Sequence, residues 1–344
     1  MFVRRLRISL RGWGGVGAMA LACVLALAFV LMLPLTQSHG EGGDVGTGGR
    51  GLATGRQARA DSCVDAQAQN QTWAPSGADG PTIDAIKARK GAARKLVVGV
   101  DQNSYRWGYR NPNNSGGDLE GFDIDLVHRI AQDILGDAND VTFKAIPTSQ
   151  RIPALQQGRV DMVVRTMTIT CARLDDVAFS APYFKTGQQV LAPKSSPITG
   201  YNATLADKRV CTAASSTALD DVTADRKSGR VPSSVAVTVV PNQLDCLVRL
   251  QLGEVDAVIT DGALAASQAA QDPTVELKGP AFTTEYYGVA MNQKATDLVR
   301  RVNQILVDYR ADGWQASYTK WLSATLGADS TASKPPAPQY LRKS

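Results

Sequence analysis

Two stretches decide the reading: LQQGRVDMVVRT at residues 155–166 and LQLGEVDAVITD at residues 250–261, identical at six of twelve positions. Each reads as the end of a helix, a glycine suited to the left-handed cap, and a short apolar parallel strand. The preceding elements agree as well. VTFKAI at 141–146 is a strand pattern followed by Pro147 and a helix around 151–157, and VAVTVV at 235–240 is followed by Pro241 and a helix around 244–252. An earlier strand stands ahead of each unit, LVVGV at Leu96–Val100 and RVCTA at Arg209–Ala213. Coincidence between two βαβ units is the bland alternative, since such units share local signals. Either way the pattern predicts two α/β lobes with parallel strands joined by helices. The 344 residues suit two domains of roughly 100–150 residues each.

Open parallel sheets bind ligands outside the carboxyl ends of their strands. That rule selects residues 101–109, 148–151 and 165–173 in the first lobe, and 214–217, 242–245 and 260–261 in the second. The first set supplies Arg151, Arg165 and Arg173 beside Thr166, Thr168 and Thr170, with Trp107 as an aromatic surface. The second supplies Asp261 at a strand end and Ser215, Ser216 and Thr217 at a helix start, while Asp245 reads as a helix cap. A guanidinium holds a carboxylate by two parallel hydrogen bonds and an aspartate takes an ammonium, so the set suits a zwitterion. A second arginine suits a second carboxylate, and hydroxyls with N–H groups at a helix start complete an anion site. Each residue also has a duller role. Arg173 could pair with Asp175 or Asp176 on the surface, and Arg151 could be solvated. Asp261, Ser216 and Thr217 could cap helices, and Trp107 could be core.

The composition, 44% apolar and 20% charged, excludes disordered and collagen-like classes. Four of the net five positive charges are Arg4, Arg5, Arg7 and Arg11, with no acid before residue 41, so no broad cationic footprint for nucleic acid exists. Residues 12–38 lack any charged side chain or histidine, and 18 of the 20 residues at 16–35 are apolar. A bilayer span needs about 20 residues and a secretory signal core about 7–15. The length therefore favours an uncleaved anchor over a cleaved signal, with the arginines inside and the remainder outside the cell membrane. Ala20-Leu21-Ala22-Cys23 loosely resembles a lipoprotein cleavage box, yet the apolar run continues past Cys23. Residues 38–60 read as a glycine-rich tether, residues 81–95 as a helix with Pro81 at its start, and residues 330–344, with Pro335, Pro336 and Pro338, as an extended tail. Cys63, Cys171, Cys211 and Cys246 form an even set in an oxidising compartment and allow three pairings. Their spacing matches no zinc signature and no histidine neighbours them, so no metal is expected. The histidines are His39 and His128, and no Ser/His arrangement or glutamate pair falls at the strand ends, which argues against an extracytoplasmic enzyme.

Leu96–Val100, GFDIDL at 121–126, GRVD at 158–161 and MTIT followed by Arg173 resemble the family 3 extracellular solute-binding proteins. So do FSAPYF at 179–184, GEVDA at 253–257 and YGVA at 287–290. These are the polar amino-acid receptors of bacterial ABC importers, and the likeness spans about residues 90–326. Within the family the chain looks like actinobacterial glutamine/glutamate-binding proteins. The resemblance implies a periplasmic-binding-protein clamshell crossed near 186–193 and 284–291. The divisions are then 1–37 basic stub and anchor or signal, 38–80 tether and extension, 81–189 and 286–327 first lobe, 190–285 second lobe, and 328–344 tail. It implies that Arg173, with Thr168, holds a ligand α-carboxylate, and that Asp261, with the Thr166 carbonyl, takes the α-ammonium. Ser215-Ser216-Thr217 falls on the family's Gly-Thr-Thr turn, with serine replacing glycine. Trp107 matches an aromatic placed over the ligand, and Arg151 matches an arginine of relatives that bind aspartate or glutamate. Arg165 stands where many relatives have a small residue. Disulfides Cys211–Cys246 and Cys63–Cys171 are implied in the same way. The implied function is a non-enzymatic, cofactor-free monomer that binds glutamate or aspartate, then glutamine or asparagine, and passes it to ABC permease subunits. A sensor signalling to a membrane partner is the alternative output.

Overall fold

The computed structural model describes Cys63 and residues 65–93, 95–113 and 116–342. The expected membrane segment at 16–35 and most of the tether lie outside the described residues. Among the described residues no helix is long and apolar enough to cross a membrane.

The echo between the two stretches is topological. One five-stranded sheet runs in the order Val141–Ala145, Leu96–Val100, Met162–Val163, Ala290–Asn292, Val177–Phe179. The other runs Ala236–Val240, Arg209–Ala213, Ala257–Asp261, Gln188–Pro193, Val275–Lys278. In each, three parallel strands stand in the order second, first, third, and an antiparallel strand then arrives from the other part of the chain. The repeated residues do matching jobs. Gly158 and Gly253 both end their helices at positive φ, 64° and 69°, which side chains avoid. Asp161 accepts the Val97 N–H at 2.8 Å and pairs with Arg89 at 2.7 Å; Asp256 accepts the Arg209 N–H at 2.7 Å and pairs with Arg209 at 2.8 Å. Each aspartate therefore satisfies the N–H at the start of the neighbouring strand, a group that would otherwise lack a partner.

Helices cover both faces of each sheet and close separate cores. Val98, Ile130, Leu298 and Val302 pack on one face of the first sheet and Leu155, Met167 and Phe179 on the other. Val210, Val222 and Ile259 pack on one face of the second, and Leu191, Cys246 and Val258 on the other. The helix expected over 81–95 is shorter, Pro81–Lys87, because Gly91 turns at φ 58° and Arg89 leaves the helix to pair with Asp161.

Two antiparallel strands, Phe184–Thr186 and Glu285–Tyr287, join the lobes. Gln188–Pro193 lies wholly in the second sheet, so the chain passes between lobes at 184–187, a few residues ahead of the expected start. Gly187 permits the passage: a Cβ there would lie 2.0 Å from the Thr283 carbonyl oxygen. Helix Thr296–Asp312 returns the chain to the first lobe, packing on Phe122–Leu135 and Pro81–Lys87. The tail does not hang free. Leu341 and Arg342 donate N–H groups to the carbonyls of Asn70 and Thr72, and the Arg342 guanidinium lies 4.3 Å from the Trp73 ring centre. Disulfides join Cys63 to Cys171 and Cys211 to Cys246, with Cα separations of 5.8 and 5.5 Å.

Candidate functional site

The strand ends of the two sheets face each other, and a cleft lies between them beside the hinge. It is narrow, with a cavity volume of about 10 Å³, and is lined by Arg151, Thr166, Thr168, Arg173, Ser216, Thr217 and Asp261, together with Gln188, Ala218, Gln243 and Thr260.

The first lobe contributes cations. Arg173 sits on the single-turn helix Cys171–Leu174, whose start is capped by Thr170 Oγ1 accepting the Arg173 N–H at 3.3 Å. The cap turns the side chain inward, where Nη1 donates to the Thr168 carbonyl at 2.7 Å and Nη2 to the Ser215 carbonyl at 3.1 Å. Arg151 opens helix Arg151–Gln156 and donates from Nε to the Thr148 carbonyl at 3.0 Å and from Nη2 to the same Ser215 carbonyl at 3.2 Å. They are 8% and 3% exposed, and neither makes an ion pair among the described residues. Burial lowers the pKa of both; for Arg151, the charges of Arg173 and Arg165 add to it and bring the value well below the usual arginine range. Two buried guanidiniums without a carboxylate are costly, so this wall favours anions.

The second lobe contributes the acid. Asp261 ends a fully buried strand and makes no capping bond to the helix it precedes. Its Oδ2 accepts from the Tyr287 hydroxyl at 2.6 Å and its Oδ1 accepts from the Gln188 amide. Burial first, then the nearby charge of Glu285, pushes its pKa up to about 8. Thr166 lies opposite at φ 41°, a left-handed conformation uncommon outside glycine. Asp123 holds that turn, accepting the Thr166 N–H at 3.0 Å and the Tyr183 hydroxyl at 2.9 Å.

A family model for bacterial extracellular solute-binding proteins, family 3, matches residues 96–324. The chain belongs to this family. It is 34% identical over 242 residues to the ABC transporter glutamine-binding protein GlnH of Bacillus subtilis, covering 70% of this chain and 84% of that one. It is 30% identical over 254 residues to the glutamate-binding protein GluB of Corynebacterium efficiens, covering 68% and 80%. A solved ancestral arginine-binding protein bound to glutamine matches with a TM-score of 0.59 and 32% identity, over 68% of this chain and 98% of that one. Family 3 members are solute-binding proteins rather than enzymes, and so is this chain.

Against the residues read from sequence, this solute-binding protein brings Arg151, Thr166, Thr168, Arg173, Ser216, Thr217 and Asp261 to one cleft. Trp107 is not among them. The chain doubles back after Leu96–Val100 through the short strands Asn103–Ser104 and Gly108–Arg110, which buries the indole completely. There it packs edge-on against Phe184, Phe122 and Tyr287 at 4.8, 5.6 and 5.7 Å, one layer behind the cleft. Arg165 is a structural pair: it is fully buried, 2.8 Å from Asp101, and donates to Thr148 Oγ1 and Asn242 Oδ1. Ser216 lines the cleft but spends its hydroxyl on the helix start, donating to the Ala213 carbonyl at 2.6 Å and accepting from the Leu219 N–H at 3.2 Å. Ser215 adopts the glycine conformation, φ 58°, despite its side chain. Asp245 completes a capping box with Asn242. Gln243 and Thr260 fall inside the strand-end ranges 242–245 and 260–261 without being singled out there, while Gln188 and Glu285 lie outside every selected range. Among the described residues no group of three His, Cys, Asp or Glu side chains is placed to hold a metal.

Proposed function

We propose that this chain binds an L-amino acid, glutamate or aspartate ahead of glutamine or asparagine, and delivers it to an ABC importer outside the cell membrane. The observation that carries this reading is the charge of the cleft: two buried, carboxylate-free guanidiniums, Arg151 and Arg173, facing the carboxyl of Asp261. An acidic amino acid has the complementary set, two carboxylates and one ammonium. Arg173 takes the α-carboxylate, aided by the N–H groups at the start of helix Thr217–Ser228. Arg151 takes the side-chain carboxylate, and Asp261 with the Thr166 carbonyl takes the ammonium. The relatives, a glutamine-binding and a glutamate-binding protein, support a polar amino acid.

Closure follows from the division of labour. Arg151, Thr168 and Arg173 belong to the first lobe and Thr217 and Asp261 to the second, so a seated ligand bonds to both and disfavours opening. Residues 16–35 serve as the anchor and the folded body acts as a monomer. Calorimetric titration with the twenty L-amino acids tests the reading. Micromolar binding of glutamate or aspartate, about −8 kcal/mol, is expected. Heat with none of the twenty refutes it.

A further inference from the structure

Glu285 opens the returning hinge strand and is 6% exposed. Its Oε2 accepts from Thr168 Oγ1 of the first lobe at 2.7 Å and from Thr217 Oγ1 of the second at 3.2 Å. Its Oε1 accepts from the Gln188 amide at 3.0 Å, and the same nitrogen donates to Asp261 Oδ1. That nitrogen also lies 3.0 Å from Thr217 Oγ1, so three acceptors converge on a group with two hydrogens. The other end of the amide is idle: Gln188 Oε1 is buried with no hydrogen-bond partner.

We propose that Glu285 is a second carboxylate for the ligand ammonium, acting beside Asp261, and that it selects for solutes with a free α-amino group. The inference rests on reading the cleft as an amino-acid site. Its basis is the donor count. Asp261 Oδ1, Glu285 Oε1 and Thr217 Oγ1 ask for three hydrogens at one point, and an ammonium has three where an amide has two. Charge agrees with geometry. Two buried carboxylates with no cation in ion-pair contact suffer desolvation and mutual repulsion that Arg151 and Arg173 offset only from a distance, and one ammonium relieves both. A seated ammonium takes over the acceptors now met by the Gln188 amide and leaves that side chain free to rotate to a partner for Oε1. Because Glu285 also ties Thr168 to Thr217, the group that senses the ammonium is the one that spans the lobes.

The charged and titratable groups facing this pair are Arg151 and Arg173 from the first lobe, Asp221 from helix Thr217–Ser228, with Asp220 beside Arg173, and Tyr287 from the hinge. With Asp261 pushed up to about 8 by burial and the charge of Glu285, its carboxyl holds a proton at neutral pH that an arriving ammonium expels. Binding of glutamate is then accompanied by proton release.

The variant Glu285→Gln keeps the shape and removes the charge. Titrate the intact wild-type and variant chains with L-glutamate and with glutarate, which has both carboxylates and no ammonium, in two buffers of different ionisation enthalpy at pH 7. The proposal expects glutamate to weaken by at least about tenfold, glutarate by less than about threefold, and proton release to fall. Equal weakening of both ligands, or an unchanged glutamate affinity, overturns it. If glutarate binds neither chain measurably, the proton count decides, and unchanged release overturns it. A wild-type chain that binds no amino acid is a separate failure, of the functional reading beneath.

Discussion

Arg151→Met isolates the group proposed to hold a second carboxylate. The side chain is 3% exposed and its two bonds go to carbonyl oxygens, Thr148 at 3.0 Å and Ser215 at 3.2 Å. A ligand carboxylate in place of the Ser215 carbonyl adds a charge-assisted hydrogen bond, about 1.5–3 kcal/mol, where an amide oxygen adds about 0.5–1.5. Removing the guanidinium should therefore weaken glutamate by roughly 10–100-fold and glutamine by less than about tenfold, reversing the preference between them. The free protein should change little in stability. Two carbonyls lose a donor, but a buried cation next to Arg173 and Arg165 disappears as well. Ligand protection follows the affinities. Glutamate at 100 times the wild-type Kd adds about 2.7 kcal/mol to wild-type stability and only about 0.4 to a variant bound 100-fold more weakly. Calorimetry with both ligands, and thermal melts with and without glutamate, read these values. Equal weakening of glutamate and glutamine, or unchanged glutamate binding, would refute the role given to Arg151.

The acid half of the cleft makes a pH prediction. Because Asp261 is raised to about 8 in the fold, its favourable contribution is complete below the unfolded value near 4 and is lost as pH rises toward 8. Asp261→Asn should raise the melting temperature of the free protein at pH 8.5, abolish glutamate protection, and flatten the loss of stability between about pH 5 and 8. A variant that melts lower at pH 8.5 contradicts this. Asp123→Ala removes the acceptor that holds Thr166 at φ 41°, so glutamate binding should weaken by about tenfold although Asp123 lies behind the lining; unchanged affinity by calorimetry contradicts the positioning role. Replacing the Cys63–Cys171 pair by serines frees a link between residues 108 apart, and Cys211–Cys246 one of 35. Loop closure predicts losses of about 5 and about 4 kcal/mol, the first larger, measured by urea unfolding of each double variant.

The fold is legible because the information is local and repeated. A glycine cap, an aspartate and an apolar strand recur at 155–166 and 250–261, and each aspartate does the same work, accepting an N–H near the start of the neighbouring strand and pairing with an arginine. The rule that ligands meet strand ends then finds Arg151, Arg173 and Asp261 from the sequence. It fails for Trp107, because the segment after Leu96–Val100 folds back as a small sheet and turns the indole into the core. It misses Gln188 and Glu285 because they lie on the crossing segments, where no apolar period marks an inward face. The only local signal is the tight passage at Gly187 beside Gln188. The ion pair of Arg165 with Asp101 is illegible for another reason: it joins residues on adjacent strand ends that no short-range pattern connects.

A crystal structure of the chain with L-glutamate decides whether the cleft works in this way. The α-carboxylate is expected on Arg173, the side-chain carboxylate on Arg151 in place of the Ser215 carbonyl, and the ammonium within hydrogen-bond reach of Asp261. A ligand seated with its ammonium away from Asp261, or bound while both arginines remain on Ser215, would contradict this arrangement.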